Sequence, residues 1–171
     1  PDFGSRYLDD EKRFLIFFKS FSKTFQNVTH CEINKELSEI VQHNYKQLEV
    51  KNITCYNYNG LDVLKDLNQT FDWIYVDPSR RHDSRGKVFL LNDCEPNIVE
   101  NSELLFNYSN HILIKTSPLL DISSGLNELS HVKHIYSVAV KNEVKELLWV
   151  LEKDYQNAVT VECVNIKKTS F

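Results

Sequence analysis

The sequence has 171 residues, of which 42% are hydrophobic and 26% are charged, and its formal net charge is −4. A chain of this length can bury one core, so we expect a single globular domain over residues 1–171. No apolar run approaches the roughly 20 residues that a membrane-spanning helix needs, and the N-terminus is not organised like a signal peptide. We therefore predict a cytoplasmic protein without a membrane partner.

The cysteines lie far apart in the sequence, with no CxxC pair and no histidines at metal-binding spacing. We expect reduced thiols and no metal site. The four residues are Cys31, Cys55, Cys94 and Cys163.

The first predicted elements are a helix, a strand and a second helix. Phenylalanines recur along one helix face in residues 13–25, at Phe14, Phe17, Phe18, Phe21 and Phe25. The stretch "NVTHCE" predicts a short strand that ends at Glu32. Asn34 can cap the next helix, in which the apolar residues again form one stripe. That stripe contains Leu37, Ile40, Val41, Tyr45 and Leu48.

The alternation of strands and helices continues to the C-terminal part of the sequence. "NITCYNY" predicts a strand closed by Asn59 and Gly60, and "LDVLKDL" predicts a short helix. "FDWIYV" is a strand, "EPNIVENSELLF" is a helix with a proline in its first turn, and "HILIKT" is a buried central strand. "HIYSVAV" and "ELLWVLE" predict an antiparallel pair at the far edge. This order predicts an α/β fold, a Rossmann-like, doubly wound and mostly parallel sheet with a C-terminal antiparallel hairpin.

Three polar residues end successive predicted strands. In doubly wound sheets, ligands bind beyond the carboxyl ends of the strands, which places Glu32, Asn59 and Asp77 at one rim. A carboxylate at Glu32 can accept hydrogen bonds from both hydroxyls of a ribose, and the Asn59 amide can bind an adenine edge, with Gly60 allowing close approach of the backbone. For any one of these residues alone, a helix cap or a turn is the alternative.

Several motifs together resemble a known enzyme family. The strand end "CEIN", the turn "YNGLDVL", the strand "DWIYVDPSRR" and the terminal hairpin resemble class I S-adenosylmethionine-dependent methyltransferases. More narrowly, "IYVDPSRR", "NDCEPNI", "IKTSP" and "NEVKELLWV" are similar to a bacterial group that usually carries a THUMP-like RNA-binding domain. The resemblance covers residues 21–152. It implies S-adenosyl-L-methionine as cofactor and RNA as the methyl acceptor.

The resemblance also implies roles for particular residues. Cofactor binding falls on Glu32 and Ile33 at the ribose and on Asn59 and Gly60 at the adenine. The residues implied in catalysis are Asp77, Pro78, Ser79 and Arg80. Because Asp77 lies between the methyl donor and the acceptor, it is implied both in catalysis and in cofactor binding. Members of the family have an acidic residue at the position of Asn59, but an asparagine can also accept and donate hydrogen bonds.

The larger departure from the family concerns the first strand and its glycine-rich loop, which cannot be found before Phe14. The sequence starts at Pro1 and has no methionine, so we expect it to be a fragment of a longer protein. Either the loop belongs to a missing segment, or this version of the fold does not bind cofactor. The alternative function is therefore a degenerate methyltransferase fold that acts as a non-catalytic RNA- or protein-binding module.

Positive charges adjoin the predicted reaction centre. Guanidinium groups match phosphate oxygens, so Arg80 and Arg81 can bind a phosphate of the acceptor. The alternative is a structural salt bridge to a nearby carboxylate, from Asp83, Asp93 or Glu95. Lys115 ends a central strand and should face the same rim as a substrate-binding cation, although a lysine that merely extends into solvent is an equal alternative.

Overall fold

The computed structural model describes residues 20–80 and 90–167, with the backbone alone at Arg80. Residues 20–24 are helical, and the remainder of the predicted helix up to residue 19 lies outside the described residues. The chain divides into two compact units, residues 1–68 and residues 69–171. Each unit has its own sheet.

The first unit alternates strands and helices in the order predicted from sequence. It contains β1 (Val28–Cys31), α1 (Lys35–Gln47), β2 (Ile53–Tyr56) and α2 (Gly60–Leu67). The two strands pair in parallel. Parallel strands need a crossover connection, which α1 provides here.

Helix α1 begins where its cap predicts but buries a narrower stripe than expected. Asn34 is the N-cap, and its side chain accepts a hydrogen bond from a backbone N–H of the first turn. Val41 and Tyr45 are buried, whereas Ile40 and Leu48 are each 40% exposed. Leu37 is half-buried, so the helix packs along a narrower line of side chains than the five predicted residues.

The second unit is built on a five-stranded sheet and a short separate strand pair. The strands of the sheet are β3 (Ile74–Val76), β6 (His111–Thr116), β7 (Val132–Val140), β8 (Glu143–Glu152) and β9 (Thr160–Ile166), and the pair consists of β4 (Ser79–Arg80) and β5 (Cys94–Glu95). The order in the sheet is β3–β6–β8–β7–β9. The β3–β6 and β7–β9 pairs are parallel, whereas β6–β8 and β7–β8 are antiparallel. The sheet is thus mixed, which corrects the expectation of a mostly parallel one.

The predicted hairpin of β7 and β8 is present, but it does not form the edge of the sheet. Strand β9 pairs with β7 on the outer side, and β8 lies between β6 and β7. The turn at Asn142 is tied to β9, since its backbone N–H donates to Oδ1 of Asn165 over 3.1 Å. All residues of β9 are exposed. An exposed strand lacks the alternation that makes a half-buried strand recognisable in sequence, so this strand was not predicted.

Among the described residues of this unit, two α-helices accompany the sheet, α3 (Ile98–Tyr108) and α4 (Ile122–Glu128), and a 3-10 turn spans Leu91–Asp93. Helix α3 starts two residues after the proline that was predicted to lie in its first turn. Asn97 is the N-cap and accepts hydrogen bonds from two backbone N–H groups, so Pro96 precedes the cap instead of lying in the first turn.

The core of the second unit lies on one face of the sheet. Ile112, Ile114, Ile135, Trp149 and Leu151 have no exposed surface. These residues alternate along their strands with half-buried ones, which is the pattern of a sheet with one fully covered face. The indole N–H of Trp149 donates to the Thr116 hydroxyl over 2.9 Å, so the one polar atom of the buried indole is satisfied.

All four cysteines are free thiols. Over residues 20–80 and 90–167, no cluster of histidine, cysteine, aspartate or glutamate side chains is arranged to hold a metal ion. Within the same ranges, no helix has the length and apolar character that crossing a membrane requires.

Candidate functional site

Glu32 directly follows β1 and is held at the carboxyl end of that strand. Its backbone N–H donates to the Tyr56 carbonyl over 3.0 Å, which extends the pairing with β2 by one residue. Its carboxylate oxygen Oε1 accepts from the backbone N–H of Asn34 over 2.7 Å. A carboxylate has two oxygens with several acceptor positions, so this turn interaction leaves Glu32 able to accept further hydrogen bonds.

Asn57 is a residue of this strand end that the sequence analysis missed. Its side-chain amide donates to the carbonyl of Glu32 over 2.8 Å and to that of Ile33 over 3.2 Å. The two strand ends are thus connected, and the backbone that presents Ile33, which is 72% exposed, is fixed. The available signal was a polar residue immediately after β2, but nothing local distinguishes a bridging asparagine from a solvated one.

Asn59 caps helix α2. Its Oδ1 atom accepts from the Leu61 backbone N–H over 2.9 Å, so the alternative role of helix cap is realised. The amide Nδ2 group of a capping asparagine can still donate a hydrogen bond, so Asn59 can cap the helix and also contact an adenine. Gly60 begins the helix, and a Cβ atom there would lie 3.5 Å from Cβ of Cys31, an ordinary van der Waals distance. Close packing against β1 therefore does not require this glycine.

The Cys31 thiol lies beside this turn but is not a candidate nucleophile. Burial raises its pKa to about 11, and the neighbouring Cys55 adds to the shift. The thiol therefore stays protonated near neutral pH, and the thiolate is the reactive form of cysteine.

Asp77 follows β3 in the second unit and forms an ion pair with Lys115. Oδ2 of Asp77 lies 2.6 Å from Nζ of Lys115, and the two side chains are 23% and 27% exposed. Register explains the pair, because Val76 is opposite Ile114 and the next residue of each strand is therefore a neighbour. Lys115 thus contacts Asp77, a predicted catalytic residue, and substrate binding by Lys115 stays a prediction.

Tyr75 precedes this ion pair on β3. Its pKa is raised above the ordinary value, chiefly by burial and further by the carboxylates of Asp77 and Glu146. Its hydroxyl is therefore protonated at neutral pH and cannot serve as a base there.

The residues after Asp77 turn into a short antiparallel pair. Pro78 is buried, and Ser79 and Arg80 form β4, opposite Glu95 and Cys94 of β5. Pro78 has a fixed φ angle, so this turn begins rigidly. The remaining basic residues of this stretch lie outside the described residues, and phosphate binding by the two arginines stays a prediction. These residues are Arg81, His82, Arg85 and Lys87.

The predicted site residues thus fall into two sets, one in each unit. Glu32, Ile33, Asn59 and Gly60 belong to the strand ends of the first unit, and Asp77 to Arg80 with Lys115 belong to the second. Both sets follow the carboxyl ends of parallel strands. In α/β proteins this is where ligands bind.

The arrangement of strands and helices is that of a methyltransferase-like α/β fold. The chain is similar to the crystal structure of a proposed methyltransferase from Porphyromonas gingivalis W83, with a TM-score of 0.65 and 30% sequence identity. The alignment covers 78% of this chain and 33% of that one, so the chain spans about a third of the length of this relative.

Two further structures are similar at lower scores. A proposed methyltransferase from Streptococcus mutans in complex with SAH has a TM-score of 0.49 and 9% identity, over 74% of this chain and 75% of that one. The proposed methyltransferase YhhF from Escherichia coli has a TM-score of 0.46 and 19% identity, over 75% and 65%. No protein-family model matches the sequence, and a comparison with curated proteins gives no match.

Proposed function

We propose that this chain is the core of a cytoplasmic S-adenosylmethionine-dependent RNA methyltransferase, with Asp77 and Pro78 at the methyl-transfer site. It would belong to the bacterial group that carries a THUMP-like RNA-binding domain, which its "DPSRR" motif resembles. The observation that carries the proposal is the half-buried ion pair of Asp77 and Lys115 at the carboxyl end of β3, in a fold like that of a proposed methyltransferase.

The geometry around Asp77 suits a group that must be held still. The carboxylate is held by the Lys115 ammonium at 2.6 Å, and the next residue of the chain, Pro78, is buried and has a fixed φ angle. Holding a reacting amine in place supplies much of the rate of such a transfer. In this turn, the carboxylate and the neighbouring backbone carbonyls can accept hydrogen bonds from an amine, and the carboxylate or water can receive its proton.

The residues of the first unit fit the nucleoside end of the cofactor. Glu32 offers a carboxylate after β1, Asn57 fixes the backbone around it, and Asn59 retains an amide donor. When bound, S-adenosyl-L-methionine supplies an electrophilic methyl group on a sulfonium. Its amino-acid end needs a cradle of backbone N–H groups, and the sequence has no glycine-rich loop to form one. We therefore expect the chain by itself to bind this cofactor weakly.

The test uses the protein produced from the complete gene. Transfer of labelled methyl groups to RNA from cells lacking the gene is measured in single turnovers for the unaltered protein and for Asp77→Ala. We expect the substitution to lower the rate by about a hundredfold or more, since a preorganised polar group beside the reacting atoms is removed. Cofactor binding, measured by calorimetry, should persist.

The matched control is Asp72→Ala, the same substitution just ahead of β3. The hydrogen bonds to Asp72 use its backbone carbonyl, so this variant should fold and react normally. A near-normal rate for Asp77→Ala would move the chemistry away from this turn. An unaltered protein that binds RNA but transfers no methyl group would favour the non-catalytic binding module.

A further inference from the structure

A cavity of about 280 Å³ opens in the first unit, on the side of β2 that faces α2. Tyr56 is opposite Cys31 in the strand register, and Cys31 packs against Gly60 of α2, which places Tyr56 on that side. Of the residues assigned to the cofactor, Glu32, Ile33, Asn59 and Gly60 do not line this cavity, whereas Asn57, which fixes the backbone of Glu32 and Ile33, does. Its lining consists of Tyr56, Asn57, Tyr58, Val63, Asp66 and Leu67.

The one charged group among the residues that line the cavity is the Asp66 carboxylate, and the hydroxyls of Tyr56 and Tyr58 can both donate and accept hydrogen bonds. Asp66 is an exposed carboxylate and therefore accepts only. The amide Nδ2 of Asn57 already donates to two backbone carbonyls, which leaves its Oδ1 atom as an acceptor. No lysine, arginine or histidine is among the lining residues. A ligand that carries positive charge and donates hydrogen bonds therefore suits the Asp66 carboxylate, which disfavours phosphates and other anions.

The apolar part of the cavity favours a flat cation on an alkyl stem. Tyr58, which is 59% exposed, and Tyr56 contribute two aromatic rings to the lining. Aromatic faces attract cations, and a planar guanidinium also stacks on them. Val63 and Leu67, four residues apart on α2, provide an aliphatic floor for methylene groups.

We propose that this cavity binds a guanidinium group carried on an alkyl chain. Asp66 pairs with the guanidinium, the rings of Tyr56 and Tyr58 cover its face, and Val63 and Leu67 contact the alkyl stem. An ammonium would satisfy the carboxylate but would lose the planar stacking and the two-pronged pairing that a guanidinium offers. This binding is independent of methyl transfer.

The experiment titrates butylguanidinium into the isotopically labelled chain and follows the backbone amide signals of the cavity residues by NMR. We expect saturable shifts at Tyr58, Asp66 and Leu67. Asp66→Asn, which keeps the shape of the side chain, should weaken binding by about tenfold, the usual effect of losing a charge-assisted hydrogen bond. Butylammonium should bind more weakly than butylguanidinium.

The matched control is Asp62→Asn, one turn earlier on the same helix and with the same change in charge. Asp62 lies 3.5 Å from Lys65 and does not line the cavity, so this variant should bind as the unaltered chain does. Equal weakening by both variants, or the absence of saturable shifts, would overturn the proposal.

A titration with an acetylated, amidated arginine peptide then distinguishes two sources of the guanidinium group. Tighter binding of the peptide than of butylguanidinium indicates an arginine of a protein partner. Equal or weaker binding indicates a small free guanidine.

Discussion

His30 is a histidine in the middle of β1 that is only 2% exposed. Its ring meets that of Tyr45 from α1 edge to face, with 6.1 Å between the centroids. Burial lowers the pKa of His30 from 6.5 to about 4, because the protonated ring would have to remain in a poorly solvated site. The folded protein therefore holds a neutral histidine over a pH range in which the unfolded chain takes up a proton.

This difference predicts a stability that depends on pH. Between pH 6.5 and pH 4 the unfolded state binds more protons at this residue, so the free energy of unfolding rises with pH and falls on acidification. From pH 7 to pH 5 the loss from His30 should be about 2 kcal/mol. Urea unfolding of the unaltered chain and of His30→Gln at both pH values measures it, because glutamine does not titrate.

His43→Gln serves as the control, since His43 is exposed on α1. The free energy of unfolding of the His43→Gln variant should depend on pH in the same way as that of the unaltered chain. An NMR titration of His30 in the unaltered chain gives an answer that does not require the variant to fold. A midpoint near 6.5 for His30 would contradict the prediction.

Among the helices, α4 shows how closely an element can approach the sheet. Its Gly125 lies against Trp149, and a Cβ atom at this position would come within 2.4 Å of Cη2 and 2.8 Å of Cζ2 of the indole. Trp149 is fully buried and its N–H is fixed by Thr116, so the ring has little freedom to move away. The glycine is needed here for space.

Gly125→Ala should therefore lower the free energy of unfolding by about 1–3 kcal/mol, the usual cost of overpacking a core, although alanine is the better helix former. Urea unfolding compares this variant with Gly60→Ala, in which the added Cβ atom meets only Cβ of Cys31 at 3.5 Å. The Gly60 variant should change stability by less than about 1 kcal/mol. Equal effects at the two glycines would show that Trp149 can give way.

At the scale of the whole molecule, the net charge of −4 bears on the proposed RNA substrate. An acidic protein repels a polyanion overall, so binding must depend on a local group of positive charges. The basic stretch that starts at Arg80 is the strongest such group in the sequence, with five basic residues from Arg80 to Lys87.

Replacing Arg80 and Arg81 with alanine should weaken RNA binding and flatten its dependence on salt. For two lost phosphate contacts to a single strand, the slope of log affinity against log salt should fall by roughly 1.4. Fluorescence anisotropy with labelled RNA at several salt concentrations measures this slope. The melting temperature should be almost unchanged.

Lys35→Ala with Lys65→Ala makes the same change in charge elsewhere in the chain. These two lysines are exposed and lie within 3.9 Å and 3.5 Å of carboxylates on their own helices. Their loss should leave the slope almost unaltered. A melting temperature several degrees lower in the arginine variant, with intact RNA affinity, would instead identify a structural salt bridge.

The sequence by itself determined the elements with local signals. Asn34 caps a helix as its position predicted, Asn59 takes the helix-cap role that was the alternative to adenine binding, and Asp77 follows a strand. Helix caps depend on hydrogen bonds over two or three residues, and the spacing of apolar residues depends on one face of one element. Both can therefore be predicted from residues that are close together in the sequence. This is why the alternation of strands and helices, and the resemblance built on it, needed no coordinates.

Only the tertiary structure decided which elements pair and which side chains meet. The place of β8 between β6 and β7, the exposed strand β9, and the ion pair of Asp77 with Lys115 all depend on strand register between distant parts of the chain. Many registers are compatible with one local sequence, and the choice among them comes from packing of the whole core. The sequence therefore placed Lys115 at the rim, and the folded sheet set its ammonium against the Asp77 carboxylate.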